Sequence, residues 1–225
     1  MKVVKASSNV SINKIDAVFY PNNVNVVYNI VNRTDIDVKV KNIKTNVEIT
    51  VPASNITNTN IFIGTLDAGE YLITLNNTGN INYDGSFANS KFTINKYSPK
   101  IEVNAVNVIY PSDVIVNVKS DVSGKYSVKI ADETIDITLF KGQFQQVIFK
   151  GLNADENGYK LNVSYLGEGN YNAAFNERIV KVFKASSSVD IFKVTNGVYD
   201  TVVPVINVNF ENKTTVTYTI YKNGA

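Results

Sequence analysis

Residues 66–75 read LDAGEYLITL, and this stretch contains the pattern that recurs along the chain. A turn-forming Gly69 is followed by Tyr71, Ile73 and Leu75 at every second position, the spacing that places side chains on one face of a β-strand. The same alternation is found in residues 24–30, 36–41, 47–51, 114–118 and 216–220. These segments are rich in Val, Ile, Thr and Tyr, and none shows a helical stripe, so an all-β chain is predicted.

The strand signals return at a spacing of about 88 to 90 residues, which indicates a tandem repeat. The matching segments are 18–21 and 108–111, 69–71 and 157–159, and 79–83 and 167–171; segments 5–8 and 184–187 match at about twice this spacing. Solenoid repeats are much shorter, whereas a unit of this length with about seven strands has the size of an immunoglobulin-like β-sandwich. We therefore predict one sandwich in residues 1–95, a second in 96–183, and the truncated start of a third in 184–225.

The predicted third unit is about half the length of the other two. Half a sandwich cannot cover its own apolar face. We expect its missing strands to lie on a longer parent chain, or less simply on another chain.

Residues 66–75, followed by 79–83 and the closing 91–96, resemble bacterial-type Ig-like repeats. The second copy, from 157–159 through Tyr171 to 182–184, is similar, and the start of the third copy is weakly so. The resemblance implies tandem immunoglobulin-like antiparallel β-sandwiches, as found in large adhesin-like surface proteins of archaea and bacteria. The Asn-rich composition looks most like the methanogen examples.

That resemblance also implies a location and a role. It places the chain outside the cell, on the cell surface, as a stalk or spacer. Its partners would be host or neighbouring-cell surface glycans or proteins, reached through the larger parent protein. The alternative is a carbohydrate- or protein-binding adhesion module that uses the loops between strands F and G.

Composition argues against several other functions. The chain is 44% hydrophobic and 19% charged with a net charge of +2, which favours a folded core but neither nucleic-acid binding nor attraction to an anionic membrane. It has no Cys and no His, so thiolate nucleophiles, Ser-His-Asp triads and imidazole metal sites are excluded. We predict no enzyme activity, no catalytic, cofactor-binding or metal-binding residues, no cofactor and no membrane insertion by this segment.

Two pairs of tyrosines have a structural interpretation. Tyr71 and Tyr159 follow a glycine at the predicted start of strand F, where Ig-like sandwiches place a tyrosine whose hydroxyl binds upstream backbone. The turn before Tyr159 differs in sequence from the turn before Tyr71, because Asp155 and two further polar residues precede its glycine. The two turns are therefore not expected to share one geometry. Tyr20 and Tyr110, each followed by Pro, are interpreted as marking the start of strand B.

The predicted F–G segments contain a second recurring aromatic pair. Tyr83 with Phe87 and Tyr171 with Phe175 stand at the same offset in both copies. Because ligand contacts in tandem modules need not repeat, we favour a plug that closes the end of each sandwich. Ligand binding remains the alternative.

The polar candidates are weaker. Oxygen donors at residues 155–157, and Asp67 with Glu70, are the groups that calcium prefers, but they lack EF-hand spacing and are interpreted as solvated turns. Asp132 and Glu133 are adjacent, so in a strand they point to opposite faces and cannot flank one glycosidic bond. A Lys-Asn cross-link of the kind known in some adhesin modules would require Lys14, Asn95 and Glu48 to meet inside the sandwich.

Overall fold

The computed structural model describes residues 2–202, 205–212 and 215–221. The ends of the predicted units at Met1 and at 222–225, and positions 203–204 and 213–214 of the third unit, lie outside these residues. Within them the chain forms strands joined by turns, with one short 3-10 turn at Ala53–Asn55. Among the described residues, no helix is long and apolar enough to cross a membrane.

In the longer strands of the first sandwich, buried side chains alternate with more exposed ones, so one face of each sheet becomes buried. The eight strands of this sandwich are β1 (Asn9–Ile12), β2 (Val18–Phe19), β3 (Asn23–Val31), β4 (Ile36–Asn42), β5 (Glu48–Thr50), β6 (Asn60–Thr65), β7 (Gly69–Asn77) and β8 (Ser86–Asn95). They form one sheet in the order β1-β3-β6 and a second in the order β2-β8-β7-β4-β5.

The next eight strands repeat this arrangement. They are β9 (Ile101–Ala105), β10 (Val108–Ile109), β11 (Val114–Ser120), β12 (Gly124–Ile130), β13 (Glu133–Leu139), β14 (Gln145–Phe149), β15 (Asp155–Tyr165) and β16 (Ala174–Phe183). The sheets run β9-β11-β14 and β10-β16-β15-β12-β13, the same order shifted by eight strands. This is the immunoglobulin-like sandwich, and the predicted fold class is confirmed.

The opening strand of each unit is divided between its two sheets. In the first unit β1 pairs antiparallel with β3, and β2 then pairs in parallel with the last strand, β8. In the second, β9 pairs antiparallel with β11 and β10 in parallel with β16. The first strand therefore ties both layers of each sandwich together.

Each sandwich encloses its own buried cluster. Every member of the first cluster lies between Val10 and Ile94, and every member of the second between Ile101 and Val182. Both sheets contribute to each cluster: in the first, Val26 comes from β3 and Ile73 from β7. The alternation read from residues 24–30 is confirmed, since Val24, Val26 and Tyr28 are almost completely buried.

The third segment forms a single antiparallel hairpin of β17 (Ser188–Thr195) and β18 (Val205–Glu211). The predicted strand at residues 216–220 is wrong: the described residues 215–221 have no strand structure and are exposed. Alternating residues become a strand only when a neighbouring strand accepts their backbone hydrogen bonds. The apolar side chains of the hairpin, such as Val189 and Ile191, are exposed.

Candidate functional site: the junction between the two sandwiches

Five residues, 96–100, join β8 of the first sandwich to β9 of the second. The backbone of Tyr97 in this linker is bound to the loop before β16: its N–H donates to the Asn170 carbonyl at 2.9 Å, and its carbonyl accepts from the Asn172 N–H at 2.8 Å. The linker therefore belongs structurally to the second sandwich.

The Tyr97 side chain strengthens this attachment. Its hydroxyl donates to Asp121 Oδ2 at 2.5 Å, and Asp121 Oδ1 accepts from the Lys100 N–H at 2.8 Å. The hydrogen bond to the Asp121 carboxylate raises the pKa of Tyr97, with smaller contributions from burial and from the negative charge. One carboxylate thus holds both ends of the linker.

The amide side chain of Asn170 reaches from the second sandwich to the first. Asn170 Oδ1 accepts from the Ala68 N–H at 2.7 Å, and Asn170 Nδ2 donates to Asp67 Oδ1 at 2.8 Å. Ala68 and Asp67 lie in the turn that precedes β7. Because the oxygen and the nitrogen of the amide each have a partner on that turn, the contact fixes both the distance between the two sandwiches and their relative orientation at this point.

Three tyrosine rings pack beside this contact. The Tyr171 ring lies 5.6 Å from Tyr20 and 6.4 Å from Tyr97, with interplanar angles of 88° and 85°. Edge-to-face packing of this kind is one of the favoured geometries for aromatic pairs. Burial raises the pKa of Tyr171, with further contributions led by the neighbouring Tyr20.

Local sequence places these rings. The Tyr20 N–H donates to the carbonyl of Asn95 at 2.9 Å, directly after β2, and the Tyr20-Pro21 peptide bond is cis. Tyr171 lies in a tight loop that begins at Gly167, whose φ is +83°. A Cβ at Gly167 would come within 2.6 Å of the Ala173 nitrogen, so the loop closes this tightly only with glycine at that position.

The predicted tyrosine corners are present, with different geometries. The Tyr71 hydroxyl donates to the Asp67 carbonyl and the Tyr159 hydroxyl to the Asn153 carbonyl, both at 2.9 Å. The longer reach of Tyr159 follows from a register shift between Asp155 and Tyr159. Tyr20 and Tyr110 precede β3 and β11, as interpreted from the sequence.

The predicted aromatic plugs are wrong for both phenylalanines. Phe87 is 72% exposed and Phe175 is 71% exposed, on the outer faces of β8 and β16. In β8 the buried positions are Phe92 and Ile94, so strand alternation turns Phe87 outward. Of the two tyrosines in those pairs, Tyr171 packs against the second core.

The acidic candidates do not assemble into a site. Asp155 Oδ1 accepts the N–H groups of Asn157 and Gly158 within its own turn, and Asp67 binds Asn170 as described above. Among the described residues, no group of three Asp and Glu side chains is placed to hold a metal ion.

The residues that a cross-link would require make other contacts. Lys14 is exposed and pairs with Asp16 at 3.3 Å, while Glu48 pairs with Lys39 at 3.1 Å. Asn95 ends β8, where its carbonyl accepts the Tyr20 N–H. Lys14 and Glu48 therefore each pair with a different side chain.

Two grooves on the surface are open to solvent. One of about 710 Å³ lies at the junction and is lined by residues that include Phe19, Ala68 and Asn172. Another of about 530 Å³ lies over β12 and β13 and is lined largely by polar residues such as Ser127 and Asp136.

Sequence reasoning missed Asn170, Asp67 and Tyr97 as junction residues. The recurrence of Asn-Tyr at 82–83 and 170–171 was visible, but it was interpreted within one sandwich rather than between two. Tyr97 also carried a signal, because the positions that match it in the other two copies are Ala6 and Ala185.

By sequence, the chain matches no known family description and no curated protein. Solved structures resemble it distantly. The titin domains Z1Z2 in complex with telethonin are 10% identical, with 83% of this chain and 100% of that chain covered and a TM-score of 0.39. A segment of two fibronectin type III domains from chicken tenascin is 16% identical, covering 76% and 97%, with a TM-score of 0.37.

A 1.5-MDa bacterial ice-binding adhesin is 13% identical to the chain, covering 85% of this chain and 71% of that one, with a TM-score of 0.32. All three TM-scores lie below 0.5. Similarity at this level does not indicate the role of the chain.

Proposed function

We propose that the chain is a non-catalytic Ig-like repeat segment that acts as a stalk or spacer in an adhesin-like protein on the cell surface. The observation that carries this proposal is the junction. A spacer must keep a set distance between its ends, and here a five-residue linker is bound along its length to one sandwich while Asn170 and Tyr171 bind the other. Such contacts favour one relative orientation of the two units.

The buried polar groups support a structural role. Asn77 Oδ1 accepts from the N–H and the hydroxyl of Thr34, both at 2.8 Å, and its Nδ2 donates to the Asn32 carbonyl at 3.3 Å. The hydroxyl groups of Ser120 and Tyr126 are hydrogen-bonded to each other at 2.8 Å. Asn77 thus ties the end of β7 to the turn between β3 and β4, and Ser120 ties the end of β11 to β12.

The spacer role can be tested by measuring the distance between the two sandwiches. The chain has no cysteine, so Asn89→Cys and Lys129→Cys, both at exposed positions, allow specific spin labelling of one site on each sandwich. We expect double electron–electron resonance to give one narrow distance distribution. Asn170→Ala combined with Tyr171→Ala is expected to broaden it.

A matched control is Asn162→Ala, which removes an exposed amide that binds Glu177 within the second sandwich. This change is expected to leave the distribution narrow. A broad distribution in the otherwise unaltered chain would contradict the spacer proposal, because the units would then move independently.

A second candidate function, glycan binding, is favoured by the two exposed phenylalanines. Phe87 and Phe175 are exposed to nearly the same extent at equivalent positions of β8 and β16. Their cross-strand partners are the polar residues Asn76 and Ser164. An aromatic ring beside amide and hydroxyl groups suits the apolar face and the hydroxyls of a sugar ring.

Binding can be tested on a glycan array with the whole chain. If these faces bind sugars, at least one oligosaccharide is retained, and Phe87→Ser with Phe175→Ser abolishes retention. Phe62→Ser, at an exposed phenylalanine on β6, serves as the control and should retain it. If the double variant still retains the oligosaccharide, the faces that bear Phe87 and Phe175 are not the binding site.

A further inference from the structure

The outer face of the first sandwich carries three side chains that are aligned across its strands. Phe87 on β8 pairs with Asn76 on β7, and Asn76 pairs with Asp37 on β4. Residues that pair across neighbouring strands share one face of the sheet. That face is the outer one, because Leu75 and Val38, which are next in sequence to Asn76 and Asp37, are buried in the core. We call Phe87, Asn76 and Asp37 the first row.

The second sandwich has a similar row with one more member. Phe175 on β16 pairs with Ser164 on β15, and Ser164 pairs with Ser127 on β12. Ser127 pairs in turn with Asp136 on β13. The last three of these residues line the groove of about 530 Å³ described above. We call the four residues the second row, and each row thus begins with an exposed phenylalanine and ends with a carboxylate.

The two ends of a row offer different chemistry to a ligand. An exposed phenyl ring can pack against the apolar face of a sugar ring, and the polar residues beside it can bind the sugar hydroxyls. The carboxylate at the other end has two oxygens that accept hydrogen bonds, so it can receive two hydroxyl groups of one sugar. A row therefore matches an oligosaccharide that lies across the strands.

The carboxylate of the second row is already held in place. The Ser127 hydroxyl donates to Asp136 Oδ1 at 2.5 Å. This bond leaves Asp136 Oδ2 and the oxygen of Ser127 as acceptors for hydroxyl groups of a ligand. Because the row members stand on paired strands, little ordering is needed on binding.

The length of each row sets the length of the ligand. Neighbouring strands lie about 4.8 Å apart, so the strands of Phe87 and Asp37 are separated by about 10 Å and those of Phe175 and Asp136 by about 14 Å. A hexose unit in a linear chain advances by roughly one strand spacing. The first row therefore accommodates three sugar units and the second row four.

We infer that each row binds a linear neutral oligosaccharide across the strands, with three sugar units on the first row and four on the second. The inference rests on the glycan-binding candidate proposed above, to which it adds the carboxylates, the direction of the ligand and its length. The first sugar stacks on Phe87 or Phe175, and the last donates its hydroxyls to Asp37 or Asp136. An acidic sugar at the Asp37 position would be repelled by the like charge.

The test is an NMR titration of the whole chain with oligosaccharides derived from cellulose, mannan and chitin, each in a series from one to six units. Phe175→Ser leaves the first row intact alone, and Phe87→Ser leaves the second. We expect the affinity for at least one series to rise up to three units on the first row and up to four on the second, and then to level off. Oligogalacturonates should bind the first row more weakly than that series.

The role of the carboxylates is tested in the same two chains. Adding Asp37→Ala to Phe175→Ser should lower the affinity for the trisaccharide about tenfold, because a hydrogen bond to a charged group is lost. The affinity for the disaccharide should not change, since two sugars do not reach β4. Adding Asp136→Ala to Phe87→Ser should have the same effect on the tetrasaccharide and none on the trisaccharide.

The matched controls are Asn89→Ala and Thr134→Ala, each two residues along the strand from a row member and on the same face. Both should leave the affinities unchanged, whereas a ligand that lay along the strands would contact these positions. Absence of binding in every series, affinity that is independent of length, stronger binding of oligogalacturonates to the first row, or losses in the controls equal to those of the Asp variants would overturn the inference.

The results also separate this inference from the functions proposed above. If the glycan array retains a sugar through Phe87 and Phe175 but the Asp variants bind normally, the rows are wrong and the glycan-binding candidate stands. If the array retains no sugar, both fail. Neither result bears on the distance between the sandwiches that tests the spacer role.

Discussion

Tyrosine hydroxyls bind backbone carbonyls in both sandwiches. Tyr28 donates to the Thr57 carbonyl at 2.6 Å, and Tyr126 donates to the Val122 carbonyl at 2.9 Å. Tyr71 and Tyr159 do the same at the start of their strands. A phenol can be buried in an apolar core only when its hydroxyl has such a partner, so each of these bonds fixes a loop against a strand.

We expect Tyr71→Phe and Tyr159→Phe to differ in effect. Tyr71 is buried and stacks on Phe92, so loss of its hydroxyl leaves the Asp67 carbonyl without that donor and costs about 1 kcal/mol of unfolding free energy. The Tyr159 bond is exposed, and water replaces it at a cost below about 0.5 kcal/mol. Urea unfolding measures both. Equal losses would contradict this assignment.

Alkaline pH should destabilise the second sandwich through Tyr126. Burial raises the pKa of Tyr126 in the folded chain, so the unfolded chain ionises first as pH rises. The unfolded state then binds fewer protons than the native state, and the free energy of unfolding falls above the ordinary tyrosine pKa of about 10.

The corresponding measurement is urea unfolding at about pH 8 and about pH 11. Tyr126→Phe should lose less stability between these values than the unaltered chain, although it is less stable at the lower pH. Tyr199→Phe, at an almost fully exposed position, is the control and should behave like the unaltered chain. An identical pH dependence for all three would exclude Tyr126 as a source.

At the scale of elements, most strands could be predicted from alternation and the junction could not. Period 2 in residues 114–118 correctly indicates β11, because that strand has neighbours on both sides. The same period in residues 216–220 fails because a strand also needs a partner. Phe87 could have been placed outward by counting back from Phe92, since burial alternates strictly along β8.

The glycine that opens each tight loop should tolerate no side chain. Gly79→Ala combines a positive φ with a 2.6 Å approach to the Gly85 nitrogen, so the loop must open. Gly142 also has a positive φ, +76°, but nothing lies within 4 Å of an added Cβ. Gly142→Ala should therefore cost only about 1–2 kcal/mol of backbone strain, and Gly79→Ala more. Urea unfolding distinguishes them, and a smaller loss for Gly79→Ala would refute the loop geometry.

At the scale of the whole molecule, two separate cores are joined by a junction that depends on distant residues. Asn170 and Asp67 meet only when the second sandwich is oriented on the first, and no spacing in the sequence specifies that orientation. The repeat could be read from the sequence because each unit forms mainly its own contacts. The contact between the units could not be read from the sequence, because it is formed by loops at the ends of two sandwiches that must first fold.

We expect the two cores to respond separately to mutation. Leu75 and Leu161 are both fully buried, one in each cluster. Leu75→Ala should destabilise the first sandwich, and Leu161→Ala the second, by about 2–5 kcal/mol each. Amide hydrogen exchange, measured residue by residue, should increase only before Asn95 in Leu75→Ala and only after Asn95 in Leu161→Ala. Increased exchange in both units after either change would mean that the chain unfolds as one body.

The split of the opening strand between two sheets has a mechanical consequence. β2 runs parallel to β8, and β10 parallel to β16. When a sandwich is pulled by its two chain ends, adjacent parallel strands are drawn past each other, so their hydrogen bonds resist the force together rather than opening one at a time. When a series of such units is stretched, each unit would therefore resist the force through the same short pair of parallel strands near its start.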